Sequence, residues 1–178
     1  MSELQDKYRK QVIPAMREKF GYKNDLAAPK IEKVVVNTGI GKSLKDQKIQ
    51  DEIAKDLALI TGQKPTPRPA KKAIATFKTR KGMIVGLAVN LRGQRMYDFL
   101  ERLINTALPR SRDFRGLKGK SIDKNGNLTI GIKEQIIFPE ISAESARNIF
   151  GLEICVKTTA ETREEGVELL RLLGFPIK

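Results

Sequence analysis

The stretch that decides the fold is residues 31–43, Ile31-Glu32-Lys33-Val34-Val35-Val36-Asn37-Thr38-Gly39-Ile40-Gly41-Lys42-Ser43. Its first eight residues are rich enough in β-branched side chains to form a strand, which Gly39 and Gly41 end. Residues 44–61 follow, with Ile49, Ile53, Leu57 and Ile60 on one helical stripe and Gly62 placed to cap the end. A strand, a glycine turn and a helix introduced by Gly41-Lys42-Ser43 is the setting of a phosphate-binding loop, where backbone amides and a lysine cradle phosphates. That pattern needs a glycine five places before Gly41, where Val36 stands. No strand ends on an aspartate suited to magnesium either, since Asp123 lies in a turn and Glu134 follows a short apolar strand. A nucleotide-binding protein of P-loop type acting through Gly41-Lys42-Ser43 is therefore the alternative reading. A glycine-permitted turn before a capped helix is the preferred one.

Working outward, residues 3–20 place Leu4, Tyr8, Val12, Met16 and Phe20 four apart along a helix that Pro14 should kink or break. Gln63-Lys64-Pro65-Thr66-Pro67-Arg68-Pro69, with alternating prolines, suits only an extended or edge strand. Residues 71–82 read as a basic hairpin with a long tip, and residues 83–91 as a strand containing Gly86. A helix over 94–108 should close at Pro109, and an Arg- and Gly-rich loop follows to Lys120. Residues 127–132 and 135–138 read as strands, and Ser142 as the N-cap of a short helix ending near Gly151. Residues 152–157 alternate as a half-buried strand, with Cys155 on the face of Glu153 and Lys157. Thr162 and Glu165 form a capping box for a last helix closed by Gly174 and Pro176. Hairpins without regular βαβ alternation predict an α+β fold. The expectation is one domain over 1–178: a largely antiparallel sheet, helices on one face, the other face open, and a long basic hairpin extension.

Composition narrows the function. The 178 residues are 40% hydrophobic and 31% charged, a globular balance, and no apolar run is long enough to span a bilayer. With no histidine, the usual neutral-pH general base, the Cys/His zinc sites and the Ser-His or Cys-His nucleophiles are excluded. Cys155, the single cysteine, excludes an internal disulfide and an all-Cys metal site, and reads as a packed structural thiol. The paired acids Glu164-Glu165 serve the helix dipole. No catalytic residue, metal or cofactor is assigned, and an enzyme is not expected. The first residues, Met1-Ser2-Glu3-Leu4-Gln5-Asp6-Lys7, resemble neither a secretory signal nor a transit peptide, so the protein should act where it is made.

The formal net charge of +13 is unevenly spread. Residues 57–97 hold nine basic side chains and no acidic one: Lys64, Arg68, Lys71, Lys72, Lys78, Arg80, Lys81, Arg92 and Arg95. Solvated faces normally mix signs, so an acid-free block inside a folded domain points to a polyphosphate partner. Its cations lie among Pro, Gly and Thr rather than along an amphipathic helix, which favours nucleic acid over a membrane surface. Only 6% of residues are aromatic and none is tryptophan, which argues for a grip on backbone and shape over base stacking. Duplex DNA is a weaker rival to structured RNA. The second basic segment, Pro109-Arg110-Ser111-Arg112-Asp113-Phe114-Arg115-Gly116-Leu117-Lys118-Gly119-Lys120, suits a projecting loop that touches phosphate or another protein.

Five strings, in order, carry a resemblance: Asn37-Thr38-Gly39-Ile40-Gly41, Leu59-Ile60-Thr61-Gly62-Gln63-Lys64-Pro65, Leu91-Arg92-Gly93, Pro109 through Gly116, and Glu134-Gln135-Ile136-Ile137-Phe138-Pro139-Glu140. Thr158-Thr159-Ala160 and the final Gly174-Phe175-Pro176 extend it nearly end to end. The chain resembles the family of large-subunit ribosomal proteins that carry 5S ribosomal RNA, in its bacterial or plastid form. The resemblance implies a place in the central protuberance, in the cytoplasm or the plastid stroma, beside 5S rRNA, large-subunit rRNA and neighbouring proteins. No homo-oligomer is expected. It implies rRNA contacts by Asn37, Gln63, Lys64, Arg68, Asn90 and Arg92. It implies that the hairpin tip, Lys72 with Thr76, Phe77, Lys78, Thr79, Arg80, Lys81 and Gly82, reaches the transfer RNA in the peptidyl site. It further implies that Arg110, Arg112, Asp113, Phe114, Arg115 and Gly116 face the small-subunit head protein S13 in an intersubunit bridge.

Overall fold

The computed structural model describes residues 2–41, 46–77, 79–112, 114–142 and 148–178, and of Phe77 the backbone alone. The first helix, α1, is a continuous run of Glu3–Lys7, Tyr8–Val12 and Ile13–Phe20. Strand β1 is Ile31–Gly39, helix α2 is Gln47–Thr61, and strands β2 and β3 are Thr66–Pro69 and Ile84–Leu91. Helix α3 joins Gly93–Arg102, Leu103–Ala107 and Leu108–Arg110; β4 is Leu128–Ile132, β5 is Leu152–Thr158 and α4 is Arg163–Leu173. The five strands form an antiparallel sheet in the order β2-β3-β1-β5-β4, and with the helices they make the α+β class read from the sequence. The chain parts into two compact units. One is Met1–Val34 with Leu91–Ile130 and Cys155–Lys178; the other is Val35–Asn90 with Gly131–Ile154.

In the first unit α1 packs against α3 and α4, burying Leu4, Tyr8, Val12 and Met16 of its predicted stripe. Tyr8 donates from its hydroxyl to the Pro29 carbonyl at 3.1 Å, and burial, with Tyr97 adding to it, pushes its phenol up to about 12. The break allowed for at Pro14 does not occur, and the closing expected at Pro109 is corrected, both by one device. Tyr8–Val12 and Leu103–Ala107 are π turns, in which the Ile13 and Leu108 amides reach back five residues to the Tyr8 and Leu103 carbonyls. Each π turn ends two residues before a proline, Pro14 or Pro109. A proline lacks the N–H that continues a helix and its ring meets the carbonyl four residues back. Widening the turn just upstream re-aims those carbonyls, so both helices pass through their prolines. Helix α1 therefore does not break at Pro14, and α3 runs on past Pro109 to Arg110.

Helix α4 opens on the predicted capping box. Glu165 accepts from the Tyr22 hydroxyl and from the backbone amides of Glu161 and Thr162, at 2.9 and 3.2 Å. Burial alone would raise the Glu165 pKa, but these donors outweigh it and hold the carboxyl below its usual range. Both β4 and β5 alternate, as expected of β5. Leu152, Ile154, Val156 and Thr158 are buried while Glu153 and Lys157 are exposed.

In the second unit Asp46 caps α2 by accepting from the Lys48 and Ile49 amides, and Gly62 closes it in the left-handed region. The expected start at 44 lies outside the described residues. Ile53, Leu57 and Ile60 are buried along the predicted stripe. Residues 135–138 are not a strand: Gln135–Ile137 is a 3₁₀ turn. The side chain of Gln135, 0% exposed, occupies the backbone groups a strand partner would have taken. Its carbonyl accepts from the Phe150 amide at 2.9 Å and its amide donates to the Asn148 carbonyl at 2.7 Å. Asn148 in turn donates to Glu52 of α2 at 2.7 Å. Of the helix expected from Ser142 to near Gly151, residues 143–147 lie outside those described, and 148–151 are not helical but are held in part by the Gln135 side chain.

Candidate nucleic-acid interface

The interface is built from an edge strand. With Pro67 and Pro69 unable to donate, β2 can pair on one side only, and it pairs antiparallel with β3. Every residue of β2 is exposed. The register sets Thr66 opposite Ala88 and Arg68 opposite Gly86. Facing residues of an antiparallel pair share a face, so Arg68, Thr66 and, two places beyond Ala88, the exposed Asn90 line one side. A Cβ at Gly86 would stand 2.9 Å from the Thr38 carbonyl oxygen. The missing side chain lets the backbone of β1 come close, with the Ile40 amide bonded to Val85 at 3.0 Å. Thr38 turns inward and donates to the Gly151 carbonyl at 2.8 Å, leaving its neighbour Asn37 exposed. From the end of α2, Gln63 donates to the Asn90 carbonyl at 3.3 Å and Lys64 is exposed.

Thus the second unit brings together five of the six residues expected at rRNA. Asn37 and Asn90 keep their side-chain amides free of partners among the described residues. Arg92 belongs to the first unit and has different company. Its guanidinium lies 3.9 Å from Glu32, whose other oxygen is 2.8 Å from the Lys157 ammonium. The hydrogen bond from Lys157 comes first in holding the Glu32 carboxyl below its usual range; the fields of Lys157, Lys33 and Arg92 add to it, and desolvation opposes.

The hairpin closes on itself. Ala70 and Met83 are joined at 2.8 Å, Gly82 bonds back to Ala70 at 3.0 Å, and Ile74 and Thr79 exchange two backbone bonds of 3.1 and 3.2 Å around a 3₁₀ turn at Ala75–Phe77. Lys71, Lys72, Thr76, Arg80, Lys81 and Gly82 are exposed and Thr79 is half-buried; Lys78 and the Phe77 side chain lie outside the described residues. Among the described residues, Lys64, Arg68, Lys71, Lys72, Arg80, Lys81 and Arg95 make no ion pair. Cations without internal partners remain available to phosphate.

The second basic loop is held from outside. Leu117 donates to Pro176 at 2.7 Å, Lys178 donates to Leu117 at 2.9 Å, and Arg163 donates to the Gly119 carbonyl at 2.7 Å. Arg110, Arg112 and Arg115 are exposed, Phe114 is half-buried and Gly116 has φ +97°; Asp113 is not among the described residues.

Comparison with known proteins settles the family. Residues 24–80 match the family model described as ribosomal protein L5, and residues 84–177 match the model for the C-terminus of the same ribosomal family. The chain is 54% identical to large ribosomal subunit protein uL5 of Dictyoglomus turgidum and 53% identical to that of Rubrobacter xylanophilus, each over 100% of this chain and 99% of the relative. The chain belongs to the ribosomal protein L5 family. This is a structural, non-enzymatic family, so the nucleotide-hydrolysing reading of Gly41-Lys42-Ser43 falls; Lys42 and Ser43 themselves are outside the described residues.

Among the described residues, no helix is long and apolar enough to cross a membrane, and no group of Cys, Asp and Glu could hold a metal ion. Sequence reasoning missed Glu32, Lys157 and Lys33, which lie outside the acid-free block. The signal available was alternation, which puts Lys157 beside Cys155 on the exposed side of β5; nothing pointed to Glu32. Thr66 was also missed, although alternation along β2 pairs it with Arg68.

Proposed function

We propose that the chain is a structural constituent of the large ribosomal subunit that binds 5S rRNA and attaches it in the central protuberance. Its seat is the cytoplasmic ribosome, and two projections, the hairpin tip and the second basic loop, carry further contacts. The observation that carries the reading is the edge strand and its surroundings, where unpaired cations flank exposed amides with no carboxylate in the block. Lys64 and Arg68 replace condensed counterions, while Asn37, Gln63 and Asn90 offer donors and acceptors to base edges and 2′-hydroxyls. Arg92 adds a guanidinium suited to bidentate phosphate contact. With about six phosphates engaged, raising salt from 50 to 200 mM should weaken 5S RNA binding on the order of a thousandfold. Filter binding across that range checks it, and a flat response would sink the proposal.

The projections carry the finer contacts. The hairpin tip, residues 72–82, is closed by its own backbone bonds. This supports a separate role, contact with peptidyl-site tRNA through Lys72, Thr76, Phe77, Lys78, Thr79, Arg80, Lys81 and Gly82. Replacing 72–82 by a short turn should leave 5S RNA affinity within about fivefold while loosening tRNA retention on the ribosome. Loss of 5S binding by the folded deletion variant would end that division of labour. The arginines of residues 110–116 supply the contact with the small-subunit head protein S13.

A further inference from the structure

Resting on the 5S RNA reading, we infer that Glu32 is a specificity-determining residue of the RNA interface. It clamps Arg92 and Lys157 into one two-cation phosphate site, to which Lys157 contributes a phosphate contact of its own. The contrast with the rest of the basic block motivates this. The described cations of the edge strand and hairpin have no ion pair, whereas Arg92 shares Glu32 with Lys157 at 3.9 and 2.8 Å. The strand pairing fixes the cluster: Thr159 donates to the Lys30 carbonyl at 2.9 Å, and two residues inward on each strand Lys157 meets Glu32. Lys33 adds its field to the same carboxylate.

An exposed pair of this kind contributes little to stability. A lone carboxylate beside a polyanion site is also unfavourable for affinity. What it supplies is geometry. Two flexible cations that would accept any phosphate are held at one separation, and net positive charge remains for the phosphate that matches it. Free cations bind every RNA alike, so beside the base-edge and 2′-hydroxyl contacts of the amides, discrimination by backbone shape needs cations that are not free to follow the backbone.

The test uses the full chain, with in vitro transcribed 5S RNA and an unrelated duplex RNA of equal length, at 150 mM salt. Glu32→Gln should hold the duplex equally well or about threefold tighter and hold 5S RNA about threefold to tenfold more weakly, with an unchanged melting temperature. Glu32→Asp, which keeps the charge, should restore most of the discrimination. Lys157→Gln should weaken 5S binding and lower its salt slope by about one. If Glu32→Gln tightens both RNAs by one factor, Glu32 acts only as a repulsive charge and the inference is overturned. If Lys157→Gln leaves the 5S slope unchanged, the Lys157 contact is overturned. A wild-type chain that bound both RNAs equally would overturn the 5S reading itself, a result distinct from either of these.

Discussion

The hairpin at 70–83 and the loop at 110–117 both carry exposed cations, yet they are held in opposite ways. The hairpin is closed by bonds between its own two arms, Ala70 with Met83 and Gly82, and Ile74 with Thr79. Among its described residues the loop shows one local turn bond, Phe114 to Ser111 at 3.2 Å, and no such ladder, and it is fastened by residues distant in sequence, Arg163, Pro176 and Lys178. A self-closed projection can change without disturbing what carries it. A projection fastened from elsewhere moves with its fastening. The same division runs through their charges, because the block that contains the hairpin has no acid, while Glu161, Glu164 and Glu165 adjoin Arg163 at the loop's fastening.

The largest expected difference is in RNA affinity. Neutralising Lys64, Arg68 and Lys71 together to Gln should cost on the order of thirtyfold or more in 5S RNA binding, with the salt slope falling by roughly 0.9 per residue. Neutralising Arg110, Arg112 and Arg115 to Gln should cost less than about threefold, since in the reading above that loop meets protein rather than 5S RNA. Filter binding at three salt concentrations separates the two variants. Equal losses would break the distinction between the regions.

How much of this was legible follows from the range of the interactions involved. Period-four stripes announced α1 and α2 and period-two alternation announced β5, because burial repeats locally, while β-branched content announced β1. The extended or edge strand followed from the alternating prolines Pro65, Pro67 and Pro69, and the capping box from Thr162 and Glu165. The helices did not close at Pro109 or break at Pro14, because a π turn ending two residues before each proline absorbs the conflict; no composition signal marks Tyr8–Val12 or Leu103–Ala107 as such. Apolar residues 136–138 looked like a strand because the rule does not see that the Gln135 amide bonds to Asn148 and Phe150. At the interface, Lys64, Arg68 and Arg92 showed through the missing acids. The Glu32 cluster did not show, because its members come from three segments that meet only when β1 lies between β3 and β5 in the sheet.

A second contrast concerns two glycines in the same left-handed region. Gly82, at φ +90°, has nothing within 4 Å of where a Cβ would stand. At Gly116, φ +97°, a Cβ would lie 3.1 Å from two carbons of the Lys178 side chain and 3.2 Å from the Pro176 carbonyl oxygen. Gly82→Ala should therefore cost about 1 kcal/mol from backbone strain alone, confined to the hairpin. Gly116→Ala adds crowding against a backbone oxygen and should cost about 2–4 kcal/mol, read as a lower urea midpoint. Equal midpoints would mean that residues 176–178 do not restrain the loop.

The smallest difference is in pH response, and it isolates the source of each region's order. Glu165 has its carboxyl held below the usual range by Tyr22, Glu161 and Thr162, against the effect of burial. A depressed folded-state pKa gives stabilisation that is complete above the unfolded value and is lost as pH falls through the folded one. The amides of Glu161 and Thr162 should therefore lose about threefold to tenfold of their hydrogen-exchange protection between pH 6 and pH 3, after correction for intrinsic rates. Residues 57–97 contain no acid and no histidine, so the bonded amides of Ile74 and Thr79 have no group of their own titrating in that window. Their protection should stay within about twofold, the margin left for the rise in net charge. Glu165→Gln should abolish the pH dependence at Glu161 and Thr162 and leave the hairpin amides as they were. A parallel loss at both sites in the wild type, persisting in Glu165→Gln, would assign the acid response to whole-molecule charge repulsion instead of this one carboxylate.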